Sequence, residues 1–178
     1  WVRSYFRHVV LPLYHLQLCY GIGLVSHGQN TIVILQENVP SGLVIKDFHG
    51  DLRLSKESSL KSDETFKSLE TLPSEYLIHD LITGHFVTVL RYFSKELDET
   101  GALYEKSFYE ILAKEIQTYL SDWEWEGNLP EKLNLLRSSF EKILVNKVRF
   151  VAGYDESNQR LKPLLGGEIK NPLLRNLK

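Results

Sequence analysis

The chain has 178 residues, 43% of them hydrophobic and 25% charged, with 21 basic against 23 acidic side chains and a formal charge of -2. This length fits one domain, residues 1–178, whose folding buries roughly 70% of the unfolded chain's surface, and the charge balance leaves no global electrostatic case for nucleic acid or an anionic membrane. Its one cysteine, Cys19, excludes an internal disulfide framework, a multi-cysteine zinc site and a four-cysteine iron-sulfur cluster supplied by one chain.

A reducing, cytoplasmic setting follows by default. No apolar stretch reaches the roughly 18 to 20 residues of a membrane span, because Arg3, Arg7, His8, His15 and Gln17 interrupt the first apolar run. The sequence starts at Trp1 and has no methionine, so it reads as part of a longer polypeptide.

In chain order, Phe6, Val9, Leu13, Leu16 and Tyr20 recur at helical spacing, with Pro12 expected to kink or interrupt the helix. "SHGQN" then supplies turn chemistry. Residues 31 to 36 and 43 to 48 are β-branched-rich runs on either side of "ENVPSG", which reads as a hairpin loop. A polar loop is expected from about 53 to 63, with Arg53, Lys56 and Lys61 on a solvated face. Three helical stripes follow: Ile82, Phe86, Val89, Phe93, Leu97; then Phe108, Leu112, Ile116, Leu120, Trp123; then Leu133, Leu136, Phe140, Ile143, Val151. "GNLP" at 127 to 130 separates the last two, and the tail from Gly153 reads as irregular, with a helical turn near Leu164. The predicted class is α+β and mostly helical, a helix bundle packed around a small antiparallel β-hairpin.

The chemistry concentrates at the two ends of the hairpin. If Gln36 pairs with Leu43, antiparallel register sets Ile32 opposite Asp47 and Asn30 opposite His49, and Asn30 and Asp47 share a face. A carboxylate and a carboxamide oxygen are hard ligands suited to Mg²⁺, which takes its remaining oxygens from water and nucleotide phosphates. His27 and Lys46 are placed to donate to phosphate oxygens and to offset charge developing at phosphorus. The bland reading has equal weight from spacing alone: Asn30 stabilising the turn and Asp47 pairing with a surface lysine. His8 and His15, and likewise His79 and His85, read as structural. "HGDLRL" at 49 to 54 resembles a kinase catalytic loop, but the metal-binding asparagine five residues after the aspartate is replaced by Lys56, which leaves Asp51 a supporting carboxylate at most.

"YGIGLVSHGQN", "TIVIL", "GLVIKDFHG" and the late "KPLL" and "NPLL" segments together resemble the C-terminal region of the NRPS-independent siderophore synthetases of the aerobactin-synthetase type, across nearly the whole chain. The resemblance implies an ATP-dependent ligase that adenylates a carboxylate, citrate or a derivative, and passes the acyl group to an amine or hydroxyl, releasing AMP and pyrophosphate. It implies the palm-like domain of a cupped-hand synthetase. His27 then acts catalytically at the nucleotide phosphates; Gln29, Asn30 and Lys46 contribute to the ATP site; Asn30 and Asp47 serve Mg²⁺; and Lys162 touches the substrate. Three departures stand out. Val25 replaces an acidic residue two places before the histidine, Glu168 lies near a customary arginine, and the family's phosphate-binding arginines and serines lie upstream of this chain. Such sequences are also grouped with ferric-siderophore reductases, whose cluster needs several cysteines.

The partners so implied are a small carboxylate and an amine, with neither nucleic acid nor membrane. Self-association as a homodimer is left open. Two alternatives stay beside the ligase: a non-catalytic module binding a metabolite or a partner helix, and a small-molecule kinase.

Overall fold

The computed structural model describes residues 1–46, 50–122, 131–144 and 164–176. The first helix has three parts: α1 (Val2–Tyr5), a wider π-helical stretch (Phe6–Val10) and α2 (Leu11–Tyr20). Pro12, which has no N–H to give, sits in the first turn of α2, directly after the wide turn that closes with Leu11 N donating to Phe6 O. The helix is thus modulated at the proline, as its sequence requires, and it continues past it. The extra residue in the wide turn also rotates the buried face. Tyr5, Phe6, Val9, Val10, Leu13, Tyr14 and Gln17 point inward, whereas Tyr20, assigned to the inner stripe by spacing, is half exposed. Gly21, at φ +63, closes the helix in the left-handed conformation that a residue with a Cβ resists.

Strand β1 (Ile22–Leu24) leads through the turn at residues 27–30 into β2 (Thr31–Gln36) and β3 (Val39–Ile45). The hairpin is tighter than "ENVPSG" implies. Gln36 pairs with Val39, and the connection is the two residues Glu37 and Asn38, both left-handed at φ 51 and 63, the backbone that matches strand twist in a two-residue loop. Pro40 and its neighbours belong to β3, with a bulge between Ile34 and Leu35 absorbing the irregularity. Leu43 consequently lies opposite Val33 rather than Gln36, and Ile32 opposite Val44 rather than Asp47.

β4 (Leu52–Ser55) runs antiparallel to β1 and parallel to β5 (Glu70–Leu72), giving a three-stranded sheet ordered β1-β4-β5. The segment expected as loop from about 53 therefore begins as a strand. A second helical run follows as α3 (Ser74–Leu81), a π-helical stretch (Ile82–Leu90) and α4 (Arg91–Glu99), then α5 (Glu105–Asp122). These carry the first two predicted stripes, except that Trp123 lies outside the described residues.

The third predicted helix is corrected. Residues 131–133 form one 3-10 turn, and Ser139–Leu144 is strand β6, antiparallel to β7 (Leu164–Lys170), where a helical turn was expected. "SFEKIL" is too short to separate a period of 2 from one of 3.6, and a strand partner decides. Val151 lies outside the described residues.

One core joins these elements. Phe6, Val9 and Tyr14 from the first helix meet Leu77, Ile78 and Leu81 of α3 and Phe108, Leu112 and Ile116 of α5, with Leu135, Phe140 and Leu173 closing the far side. The Phe108 ring sits edge-on to Phe6 at 5.0 Å and to Phe93 at 5.6 Å, a geometry that aligns ring edges with ring faces. Mixed helix and small sheet is the predicted class.

Candidate functional site at the His27–Asn30 turn

The turn is built from both sides. Asn30 N donates to His27 O at 3.0 Å, which closes residues 27–30 as a four-residue turn. Lys46 N donates to Asn30 O at 3.0 Å, continuing the hairpin ladder one step beyond Thr31 and Ile45. The Thr31 hydroxyl reaches the carbonyl oxygens of Ser26 and His27, each at 3.2 Å. Gly28 and Gln29 are exposed at the tip, His27 is partly exposed, and Asn30 is buried at 4%.

Behind the turn lies a buried anchor. His85 Nδ1 is 2.7 Å from Ser26 O. A carbonyl can only accept, so this nitrogen carries the proton and donates; in the neutral ring Nε2 then accepts from the Tyr5 hydroxyl at 3.1 Å. Burial pushes the imidazole pKa down against the opposing pull of the Ser26 carbonyl, and pushes the Tyr5 phenol up to about 12. Both groups stay neutral at ordinary pH. The first helix and the π-helical stretch 82–90 therefore fix the backbone directly before His27. His79 and His85 are both buried, in keeping with a structural reading.

Among the described residues, Asp51 brings its side chain to the turn. Its backbone carbonyl accepts from Val25 N at 3.1 Å, one step past the β1–β4 pair Leu24 and Leu52. From there the carboxylate Oδ2 accepts from Asn30 Nδ2 at 3.1 Å and stands 3.8 Å from His27 Nε2. Spacing had assigned Asn30 a partner position opposite His49; the structure puts it opposite Lys46 and in contact with Asp51.

Arg53, two residues on, does not lie on a solvated loop face. It is 18% exposed, bonds Asp80 Oδ1 through Nη1, and lies 3.4 Å from Glu70 through Nε. Burial raises the Asp80 carboxyl to about 7, against the Arg53 charge, with Asp51 and Glu70 pushing it further up. Among the described residues Asp80 Oδ2 has no hydrogen-bond partner, and a Cβ on Gly23 would lie 2.5 Å from it; glycine lets β1 close over the carboxylate. An acidic and basic ladder thus runs from His27 through Asp51 to Asp80, Arg53 and Glu70. Sequence inspection missed Arg53 and Asp80 because their pairing needs the β1–β4–α3 packing.

His27, Gln29, Asn30 and the start of Lys46 therefore share one edge of the molecule, with Lys46 exposed. Asp47 and Lys162 lie outside the described residues. Among the described residues no group of three or more His, Cys, Asp or Glu side chains could hold a metal ion on its own. The available oxygen donors, a carboxamide and a carboxylate, suit a hard cation that keeps most of its oxygens from water and phosphate, and the imidazole suits a phosphate oxygen rather than such a cation. Among the described residues, too, no helix is long and apolar enough to cross a membrane.

The aerobactin synthase of Escherichia coli is 36% identical over 177 residues, covering 97% of this chain and 30% of that protein. The solved aerobactin synthetase IucC from a hypervirulent pathotype of Klebsiella pneumoniae superposes with a TM-score of 0.78 at 34% identity, over 97% of this chain and 30% of the other. The ATP-bound aerobactin synthetase IucA of the same source shares the fold at a TM-score of 0.66 and 20% identity, over 79% of this chain and 25% of that one. The chain thus spans about 30% of the length of the curated relatives it matches, and it corresponds to the C-terminal region of NRPS-independent siderophore synthetases. Residues 1–158 match the family described as "FhuF: Ferric iron reductase FhuF-like transporter", and the chain belongs to that family.

Proposed function

We propose that this chain, as a single palm-like domain, is the C-terminal part of a siderophore synthetase that uses ATP to activate a carboxylate of citrate or a citrate derivative and joins it to an amine or hydroxyl. The observation that carries the reading is the closed turn His27–Asn30, fastened by the Lys46 amide and the Asp51 carboxylate, in a chain whose relative at 36% identity is an aerobactin synthase.

The residues divide the work by chemistry. His27 and Lys46, at the exposed edge, donate to phosphate oxygens and offset charge there as it develops. Gln29, at the turn tip, offers both a donor and an acceptor to the nucleotide. Asn30 and Asp47 supply hard oxygens to Mg²⁺, which when bound neutralises phosphate charge. Lys162 contributes to binding the carboxylate substrate in this reading. ATP supplies the adenylyl group; the carboxylate displaces pyrophosphate, and the incoming nucleophile displaces AMP.

Calorimetric titration of the full-length protein with Mg-ATP tests this. Asn30→Ala and Lys46→Ala are each expected to weaken binding by about tenfold or more, the scale of one lost charge-assisted contact of about 1.5 to 3 kcal/mol. Unchanged affinity in both overturns the nucleotide assignment. Release of AMP and pyrophosphate with citrate and candidate amines supports the ligase; ADP as product would identify a phosphotransferase.

A further inference from the structure

We infer that Asp51 is a positioning residue for the nucleotide edge: its Oδ2 fixes which way the Asn30 carboxamide faces and so directs Asn30 Oδ1 to the ligand. The inference rests on the nucleotide reading above and adds to it a residue on β4's approach that carries no assigned role there.

The argument begins with what a carboxamide can do. Asn30 has two ends of nearly equal size, an acceptor oxygen and a donor NH₂, and rotation by half a turn exchanges them. Only one end is useful to a cation, and only the other to a carboxylate. Asp51 Oδ2 lies 3.1 Å from Asn30 Nδ2, and an ionised carboxylate accepts but does not donate. The flipped state would set oxygen against oxygen. The NH₂ is therefore held on the Asp51 side, and Oδ1 is turned away from it. The Asn30 backbone cannot compensate by moving, because its N–H and its carbonyl are both engaged, by His27 O and Lys46 N.

Asp51 is itself placed by sheet pairing. Its carbonyl takes the Val25 amide at 3.1 Å, and the next residue, Leu52, is already paired with Leu24. The same oxygen that meets Asn30 stands 3.8 Å from His27 Nε2, beyond a hydrogen bond but within reach of attraction when the imidazole is charged. One carboxylate thus faces two residues of the proposed nucleotide edge from the turn that leads into β4. Hydrogen-bonded partners of this kind behind a ligating group typically alter affinity by 10- to 100-fold.

The test uses the full-length protein with Mn²⁺ and a non-hydrolysable ATP analogue, bound Mn²⁺ being read by electron paramagnetic resonance. Asp51→Ala should weaken Mn²⁺ binding about tenfold, and the double variant Asn30→Ala/Asp51→Ala should be no weaker than Asn30→Ala alone, since the two act through one group. Asp51→Asn, whose carboxamide can present either its oxygen or its NH₂ to Asn30, no longer dictates one orientation and should fall between the parent and Asp51→Ala. An Asp51→Ala protein that binds Mn²⁺ normally, or a double variant showing the product of both single losses, overturns the proposal while the nucleotide reading stands. A second readout is independent of any ligand. With asparagine labelled by ¹⁵N, the Asn30 side-chain NH₂ signal should show protection from solvent exchange in the parent and lose it in Asp51→Ala. If Asn30→Ala leaves Mn²⁺ binding intact while this signal behaves as described, the nucleotide reading fails and the orienting contact survives. An exchange rate unaltered by Asp51→Ala removes the orienting contact itself.

Discussion

Asp80 sits where burial resists a negative charge. Its carboxyl is raised to about 7 by burial, despite Arg53, with Asp51 and Glu70 adding to the rise. The neighbouring His79 is held down to about 4, chiefly by burial, with Glu141 opposing and Arg137 assisting. Their effects on stability have opposite signs. A carboxyl raised on folding contributes stability below its unfolded value near 4 that is lost as pH climbs through 7; an imidazole depressed on folding contributes stability above 6.5 that is lost as pH falls toward 4. The two trends offset across one window, and His85, also depressed, adds to the histidine side. Asp80→Asn removes the compensating arm. Its urea midpoint should fall more steeply than the parent's between pH 7 and pH 4, by a difference on the order of a few kcal/mol in stability, since each unit is about 1.4 kcal/mol. A slope equal to the parent's would show that Asp80 titrates normally. Neither group stood out in the sequence, where His79 reads as one more structural histidine and Asp80 carries no reading; burial on both faces of α3 gives these side chains their character.

At the scale of elements, the hairpin shows what patterning reveals and what it hides. Its existence was legible from two β-branched runs, and its register was not. "PSG" offers the residue types that turns favour, whereas the chain turns at Glu37 and Asn38, neither a glycine, both with positive φ. The loop was read too long, and the pairing moved with it. A side chain other than glycine is strained in this conformation, asparagine least. Replacing Glu37→Asn together with Asn38→Gly is expected to raise stability by about 0.5 to 1 kcal/mol, seen as a higher denaturation midpoint. A lower midpoint would mean that the existing side chains make contacts that outweigh the backbone gain. The same limit hid the role of Asp51: it meets Asn30 across 21 residues only because β4 returns beside β1. His27, Gln29, Asn30 and Lys46 were legible as a group because the turn and the strand ends that carry them are local.

For the molecule as a whole, the stripes at 82–97 and 108–120 fall on helices, whereas the one through Leu133 and Phe140 falls on a 3-10 turn and a strand, because a 3.6-residue period is a reliable sign only when sustained over several turns. They converge on one core, so distant segments depend on one another. Tyr14 from the first helix donates to Leu133 O at 3.0 Å and accepts from Leu135 N at 3.2 Å, and the buried Asn171 donates to Leu135 O and Arg137 O, both at 2.8 Å. Phe108→Ala, which empties the space between Phe6 and Phe93, is expected to destabilise by about 3 to 5 kcal/mol. The loss should appear as one coincident shift in near- and far-ultraviolet dichroism.

The hairpin has its own debt to the first helix. Trp1 donates its indole N–H to Asn38 O at 2.9 Å, and Ser4 its hydroxyl to Pro40 O at 2.6 Å, so two hydroxyl- or nitrogen-bearing side chains at the very start of the chain grip the far tip of the ribbon. Two strands by themselves scarcely hold their shape in water. A synthetic peptide of residues 21–46 should therefore give the spectrum of a random coil, and during refolding the ribbon, with the loop at its base, should settle only after the leading helix has docked.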